Sequence, residues 1–179
     1  MRQVPELIRI LTSEGMDFEQ AAEIAFRAVS FTNHTVMPEA LECGSESLMR
    51  AVAPELIPII RRLDERLRAQ GHEGLYIVEN HSIHMANLAV ACTHCTNGVA
   101  ELHTHILKER VFADWHRAYP DRLQNVTNGI TPRRWLGVCN PELTALLSDT
   151  LGGDDFLTDL ARLGALREHL DDALIDRFM

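Results

Sequence analysis

Three groups of residues in this sequence have the types and spacing to do chemistry. The first is Thr32-Asn33-His34-Thr35, four consecutive hydrogen-bonding side chains followed by the carboxylates Glu39 and Glu42. Hydroxyls, amides and imidazole in one run suit the reading of sugar hydroxyls. If Pro38 opens a helix, Glu39 and Glu42 stand at i, i+3 on one face, available for acid–base work or hydroxyl recognition. The plain alternative is a structural histidine between helices and a solvated first turn, where acids are favoured by the macrodipole. The second group is Thr127-Asn128-Gly129-Ile130-Thr131-Pro132-Arg133-Arg134-Trp135. Here an amide can bond hydroxyls, arginines can pair with anions and an indole can form a stacking wall. The same residues also read as an Asn-Gly turn, a stiff Thr-Pro step and a basic, aromatic helix start. The third group, Cys92-Thr93-His94-Cys95 with His103 and His105, has metal-like residue types. One Cys-x-x-Cys without a second pair is a weak zinc signal, and the fourth ligand is undefined, so no metal is expected at Cys92, His94 and Cys95. The Gly-rich phosphate and dinucleotide loops and the Gly-x-Ser-x-Gly elbow are absent.

The elements that must position these groups are mostly helical by their apolar period. Pro5 to Leu11 opens near a first helical turn and runs to Gly15; Asp17 with Gln20 has capping-box spacing for a second helix reaching about Val29. Its predicted apolar face is Phe18, Ala21, Ala22, Ala25, Phe26 and Val29. The polar stretch from Phe31 to Pro38 falls between helices, where functional loops occur. Pro38 and Pro54 each can start a helix, and Ile59 to Gln70 reads as an arginine-rich amphipathic helix ending at Gly71. Leu75–Val78 and Met85–Ala91 are the strand-like runs, the second centred on Asn87–Ala91. A helix is expected from Asn97-Gly98 to about Arg110, then a long polar loop over Gln124–Arg134. Asn140-Pro141 has the chemistry of a helix start, with a stop at Gly152-Gly153, and Phe156–Met179 reads as helical and acidic.

The bulk numbers exclude several classes of function. Across 179 residues, 46% are hydrophobic and 24% charged, enough for one sizeable core and unlike a disordered chain. The net charge of −9, from 26 acids against 17 bases, disfavours nucleic acid and anionic membranes as partners. The sequence has neither an apolar run long enough to span a bilayer nor a secretory leader, so a cytoplasmic location with reduced thiols at Cys43, Cys92, Cys95 and Cys139 is expected.

The three groups together resemble one family. Thr32-Asn33-His34-Thr35-Val36-Met37-Pro38-Glu39-Ala40-Leu41-Glu42 resembles its TNHTxxPEALE segment. His94-Cys95-Thr96-Asn97-Gly98-Val99-Ala100 with His103 resembles its SHxVNGVAxxH segment. Thr127 to Leu136, with Cys139-Asn140-Pro141, resembles its TNGITPRRWL…CNP segment, and Pro5 to Leu11 resembles the PELMRIL upstream. The order and approximate spacing also match, over nearly the whole chain. This is the pattern of the pyridoxal-phosphate-dependent α-glucan (glycogen, starch or maltodextrin) phosphorylases.

The resemblance implies an α/β family fold of two Rossmann-like lobes of the GT-B type. Within it, this stretch would be predominantly α-helical with a few short strands. Residues 1–127 would close the first lobe and residues 128–179 open the second, so the chain is expected to be a piece of a longer, homodimeric, allosteric-family enzyme. The implied reaction is phosphorolysis: inorganic phosphate attacks the end of an α-1,4-glucan and glucose 1-phosphate leaves with retention. In that family His34 and Asn128 would hold the glucosyl unit by its hydroxyls. Thr35, Glu39, Ala40 and Glu42 would line the pocket beside it, and Asn97, Val99 and Trp135 would lie near pyridoxal 5'-phosphate. None of these makes or breaks bonds. Lys108 is the only lysine, and its Ile-Leu-Lys-Glu setting is not that of the Schiff-base lysine. The chain alone is therefore expected to be inactive. The sequence departs from the family at Cys43-Gly44-Ser45, where a basic residue and Trp-Pro are usual. It departs again at Cys92-Thr93, where Gly-Ser is usual, and between Gln70 and Tyr76, where it is shorter than many relatives. The alternative to the phosphorylase reading is a small helical module that binds a metal or a carbohydrate without catalysis.

Overall fold

The computed structural model describes residues 2–179. It divides into two compact units, one reaching to Asn128 and one of Gly129–Met179.

The first unit begins with α1 (Gln3–Ser13) and α2 (Phe18–Ala28), turned against each other at Gly15, whose φ of 93° favours glycine. Asp17 caps α2, its carboxylate accepting from the Glu19 and Gln20 amides at 2.9 and 3.4 Å. Strand β1 is Phe31–Thr32; β2 (Cys43–Ser45) leads into α3 (Glu46–Val52), capped by Ser45. Helix α4 (Ile57–Arg68) carries Pro58 in its first turn and buries Ile57, Ile60, Leu63, Asp64 and Leu67 at helical spacing. Strands β3 (Val78–Glu79) and β4 (Ser82–His84) form a hairpin whose two turn residues, Asn80 and His81, both have positive φ, at 49° and 61°. Then come α5 (Met85–Ala91), β5 (Thr96–Gly98), α6 (Glu101–Ile106), α7 (Ala113–Ala118) and β6 (Leu123–Asn125). After α6 a π-helical stretch, Leu107–Val111, continues the helix.

Two small sheets result. One is antiparallel, in the order β2-β4-β3. The other is parallel, in the order β1-β5-β6, with Thr32 beside Asn97 and Gly98 beside Asn125. The core of this unit gathers Val4 and Ile8 of α1, Ala21 and Ala25 of α2, Ile60 of α4, Leu88 and Val90 of α5, and Leu107, Phe112, Trp115 and Leu123.

The second unit holds a π-helical stretch Arg133–Val138, then α8 (Pro141–Leu151). Asn140 caps α8 by accepting from the Leu143 amide at 3.1 Å, and Gly152 ends it with φ of 75°. Two 3-10 stretches, Asp155–Leu157 and Leu160–Glu168, lead to α9 (Asp172–Phe178). Among the described residues no helix is long and apolar enough to cross a membrane.

The predominantly helical content with few short strands agrees with the periodicity, but several local expectations are corrected. Met85–Ala91 is a helix, not a strand. Its apolar residues meet neighbours on most sides, so neither period shows, and β4 already ends at His84 where the Met85 amide turns to the Glu42 carbonyl at 3.0 Å. The Leu75–Val78 strand reduces to Val78–Glu79, because Asp64 takes the Ile77 and Val78 amides that a longer ladder would use. Pro38 opens only a 3-10 turn, Pro38–Ala40, so Glu39 and Glu42 do not share a helix face. The Gln124–Arg134 loop contributes an edge strand at one end and a π-helical turn at the other. From Phe156 onward the expected helix is broken into 3-10 stretches and the short α9, with interruptions at Thr158–Asp159 and His169–Asp171.

Candidate functional site

The parallel sheet explains how segments far apart in sequence come together. β1, β5 and β6 run in the same direction, so their carboxyl ends lie side by side. The ladder then continues past the strands. The Asn33 amide donates to the Asn97 carbonyl at 2.9 Å, the Val126 amide to Gly98 at 3.1 Å and the Asn128 amide to Val99 at 2.9 Å. His34 therefore leaves the sheet beside Asn97–Val99, and Asn128 is hydrogen-bonded to that same segment. The carboxyl edge of a parallel sheet is where α/β folds bind ligands, since loops leave it in several directions over one crevice.

The loops are held by their own polar residues. Asn33 is 2% exposed, and its side-chain oxygen accepts from the Thr35 amide at 3.0 Å. It pins the turn that leaves His34 exposed to water. Thr35 in turn accepts from the Met37 amide at 3.1 Å. Thr32 donates to the Asn97 side-chain oxygen at 2.8 Å, while the Asn97 amide nitrogen donates to the Gly98 carbonyl at 3.1 Å. The Asn97 side chain thus ties β1 to β5. His103 accepts the Val99 amide on Nδ1 at 3.0 Å, which places its proton on Nε2, a buried atom with no partner among the described residues.

Gly98 lets α6 approach β5. A Cβ there would lie 2.3 Å from Thr104 Oγ1 and 3.0 Å from Thr104 Cα. Thr104 Oγ1 is itself 2.9 Å from the Ala100 carbonyl and from Asn125 Oδ1, and Asn125 donates to Thr127 at 3.2 Å. Asn125 is a positioning residue that the sequence reading did not single out; its spacing from Thr127 was the available signal. The other named residues fall as follows. Glu39 and Ala40 are exposed on the 3-10 turn after His34, and Glu42 is exposed at the entry to β2. Trp135, in the second unit, is 66% exposed.

The Cys/His group is taken up by the fold. Burial pushes the Cys92 thiol up to about 12 and raises that of Cys95, so both stay protonated and are poor metal ligands. His94 Nδ1 lies 3.0 Å from the Val29 carbonyl, and His103 serves Val99. Among the described residues no three acidic, thiol or imidazole groups are placed to share a metal.

A family model for carbohydrate phosphorylases matches residues 2–179. The chain belongs to the carbohydrate phosphorylase family. It is 41% identical to a wheat alpha-glucan phosphorylase, H isozyme (Triticum aestivum), over 94% of its length, and 40% identical to the cytosolic alpha-glucan phosphorylase 2 of Arabidopsis thaliana. It is 39% identical to the muscle form of human glycogen phosphorylase, again over 94% of its length. The chain spans 22% of the length of each of these curated relatives.

As a phosphorylase segment, the chain shows what its unusual residues do. Cys43 pairs across the ladder with His84, Sγ to Nδ1 at 3.9 Å, and a Cβ on Gly44 would touch nothing within 4 Å. Gly44 borders an open groove of about 380 Å³ together with Leu48, Val52 and Met85. Thr93, at the other departure, is fully buried and bonds the Ala89 carbonyl at 2.8 Å, closing α5.

Proposed function

We propose that this chain is the segment of an α-glucan phosphorylase that holds the terminal glucosyl unit while inorganic phosphate attacks it and glucose 1-phosphate leaves. The observation that carries this reading is the parallel β1-β5-β6 edge, where three family-like segments meet through consecutive backbone hydrogen bonds. At that edge His34 and Asn128 would bond the sugar hydroxyls, with Thr35, Glu39, Ala40 and Glu42 lining the pocket beside it. His34 follows the end of β1, and Asn128 is tied to Val99 by its backbone amide, which suits positioning. Fixing the sugar beside the attacking phosphate can supply a large share of a rate enhancement. In this reading the first unit belongs to the first lobe of a GT-B type fold and the second unit opens the second lobe. The homodimeric enzyme acts in the cytoplasm, which fits the cytosolic name of one relative.

Pyridoxal 5'-phosphate would supply a phosphate able to exchange protons with the attacking one. The residues of this chain fit that cofactor as a wall only. The Asn97 amide, the Val99 amide and the Val99 carbonyl already have protein partners, and Lys108 lies half-buried in the π-helical stretch after α6. Val99 and Trp135 can offer surface, and the imine-forming lysine would come from residues outside 1–179.

The test is made in the longest natural polypeptide that contains these residues, assayed with maltoheptaose and phosphate for glucose 1-phosphate. Asn128→Ala is expected to lower kcat/KM by roughly five- to 150-fold, the equivalent of about 1–3 kcal/mol for a buried partner left unpaired. Unchanged kinetics would remove Asn128 from the site. Residues 1–179 alone are expected to give no turnover, and a borohydride-trapped adduct on Lys108 would overturn the placement of the cofactor.

A further inference from the structure

Away from the strand edge, Arg122 of the first unit is half-buried and has no ion-pair partner among the described residues. Arg122, between α7 and β6, has its guanidinium carbon 3.8 Å from the Tyr119 ring centroid and 4.9 Å from that of Phe26. Burial lowers its pKa. Other arginines of this acidic chain either pair with a carboxylate, as Arg61 does with Glu46 and Arg68 with Asp64, or are exposed. Aromatic faces offset part of the cost of burying the charge, but they accept none of its in-plane N–H bonds.

That guanidinium borders a cavity of about 140 Å³ whose lining divides by chemistry. One part is polar: Arg122, Arg66, Gln70 and Tyr119. The Tyr119 hydroxyl donates to Gln70 Oε1, leaving the Gln70 amide N–H groups as free donors. Arg66 and Arg122 put two positive groups on this part of the lining. Arg66 also reaches the exposed Glu19 at 3.4 Å. The other part is apolar and includes Ile8, Ala22, Leu67 and Ala91. The acid in the lining, Glu23, is exposed to water.

We propose that this cavity binds a small monocarboxylate with a short apolar tail, independently of the phosphorylase site. Arg122 takes the carboxylate in a two-pronged pair, the Gln70 amide donates a further bond, and the tail lies on the Ile8–Ala22–Ala91 surface. A dianion such as phosphate is a poorer occupant, because it has no apolar part to lie on the apolar half of the lining and brings a second charge to desolvate.

Titration of the 1–179 chain with butyrate at constant ionic strength tests this, followed by two-dimensional ¹H–¹⁵N NMR that includes the arginine Nε–H signals. Butyrate is expected to give saturable shifts at Arg122, Tyr119 and Phe26, with butyramide and inorganic phosphate about tenfold weaker or more. Arg122→Gln is expected to weaken butyrate by about tenfold or more while the dispersed spectrum persists. Should that variant lose dispersion, Arg122→Lys decides, since it keeps the charge without the planar fork and is expected to bind several-fold more weakly. Shifts confined to His34 and Asn128, equal response to phosphate or butyramide, absence of saturation, or unchanged affinity in the folded variant would each overturn the assignment.

Discussion

Asp64 is buried on α4, where one carboxylate oxygen accepts from the Ile77 and Val78 amides at 2.6 and 3.1 Å and the other from Arg68 at 2.7 Å. Removing it leaves the buried Ile77 amide without an acceptor. Asp64→Ala is expected to destabilise the chain by about 2–4 kcal/mol in urea denaturation, and Asp64→Asn by less, because an amide oxygen can still accept. Glu46 tests charge rather than shape. It is 6% exposed and takes Arg61 through two bonds, at 2.7 and 2.9 Å, with Arg50 at 3.2 Å. The Arg61 hydrogen bonds, more than the opposing effect of burial, hold its carboxyl below the usual carboxylate value. A carboxylate lowered on folding stabilises the folded state fully above its unfolded pKa of about 4.3, and that stabilisation is lost as pH falls through the lowered folded value. Melting temperatures followed from pH 6 downward should therefore fall less steeply in Glu46→Gln than in the parent. Equal slopes would mean that the Arg61 pair is silent in linkage.

The decisive element contact for the candidate site is that between β5 and α6. Gly98 is buried in the central strand of the parallel sheet, and a methyl group there would overlap Thr104 Oγ1 and crowd Thr104 Cα. The obstacle includes backbone, so rotating one side chain cannot relieve it. Gly98→Ala is expected to cost about 1–3 kcal/mol and to shift the Val99 and Asn128 amide resonances, since the helix and the strand end must part. Gly44→Ala, where the added carbon meets nothing within 4 Å, is its control and should leave stability nearly unchanged. A Gly98→Ala chain as stable as the parent would show that α6 can move without consequence.

At the scale of the whole molecule, the two units differ in how their apolar residues are covered. The first has a continuous core built from α1, α2, α4, α5 and the parallel sheet. In the second, Leu147 and Phe156 are the buried large residues, while Leu170 and Phe178 are each 65% exposed and border an apolar cleft of about 480 Å³. Open apolar surface of this kind binds amphiphilic dyes. Anilinonaphthalene sulfonate is expected to fluoresce with the folded chain, and the double substitution Leu170→Asp with Phe178→Asp should reduce that signal. A signal equally strong in the double variant would place the exposed apolar surface elsewhere.

The sequence by itself determined the helical character, the caps and the family. Asp17 and Asn140 cap helices, and Gly15 and Gly152 turn the chain with positive φ, because these effects depend on neighbours a few residues away. The family was legible because its segments are runs of unusual polar residues, now matched over residues 2–179. The strands were not legible. β1, β5 and β6 are two or three residues long, too short for an alternating pattern, and exist only because each finds the next in register. Met85–Ala91 misled for the complementary reason: a helix covered on most sides has no polar face to reveal its period. Only the tertiary structure could decide that Thr32, Gly98 and Asn125 end neighbouring parallel strands. It alone could decide, too, that Asn33 and not His34 is the buried member of its quartet, and that Arg122 is half-buried against two aromatic rings. Each is a contact between residues tens of positions apart, set by which surfaces pack together and invisible to any local pattern.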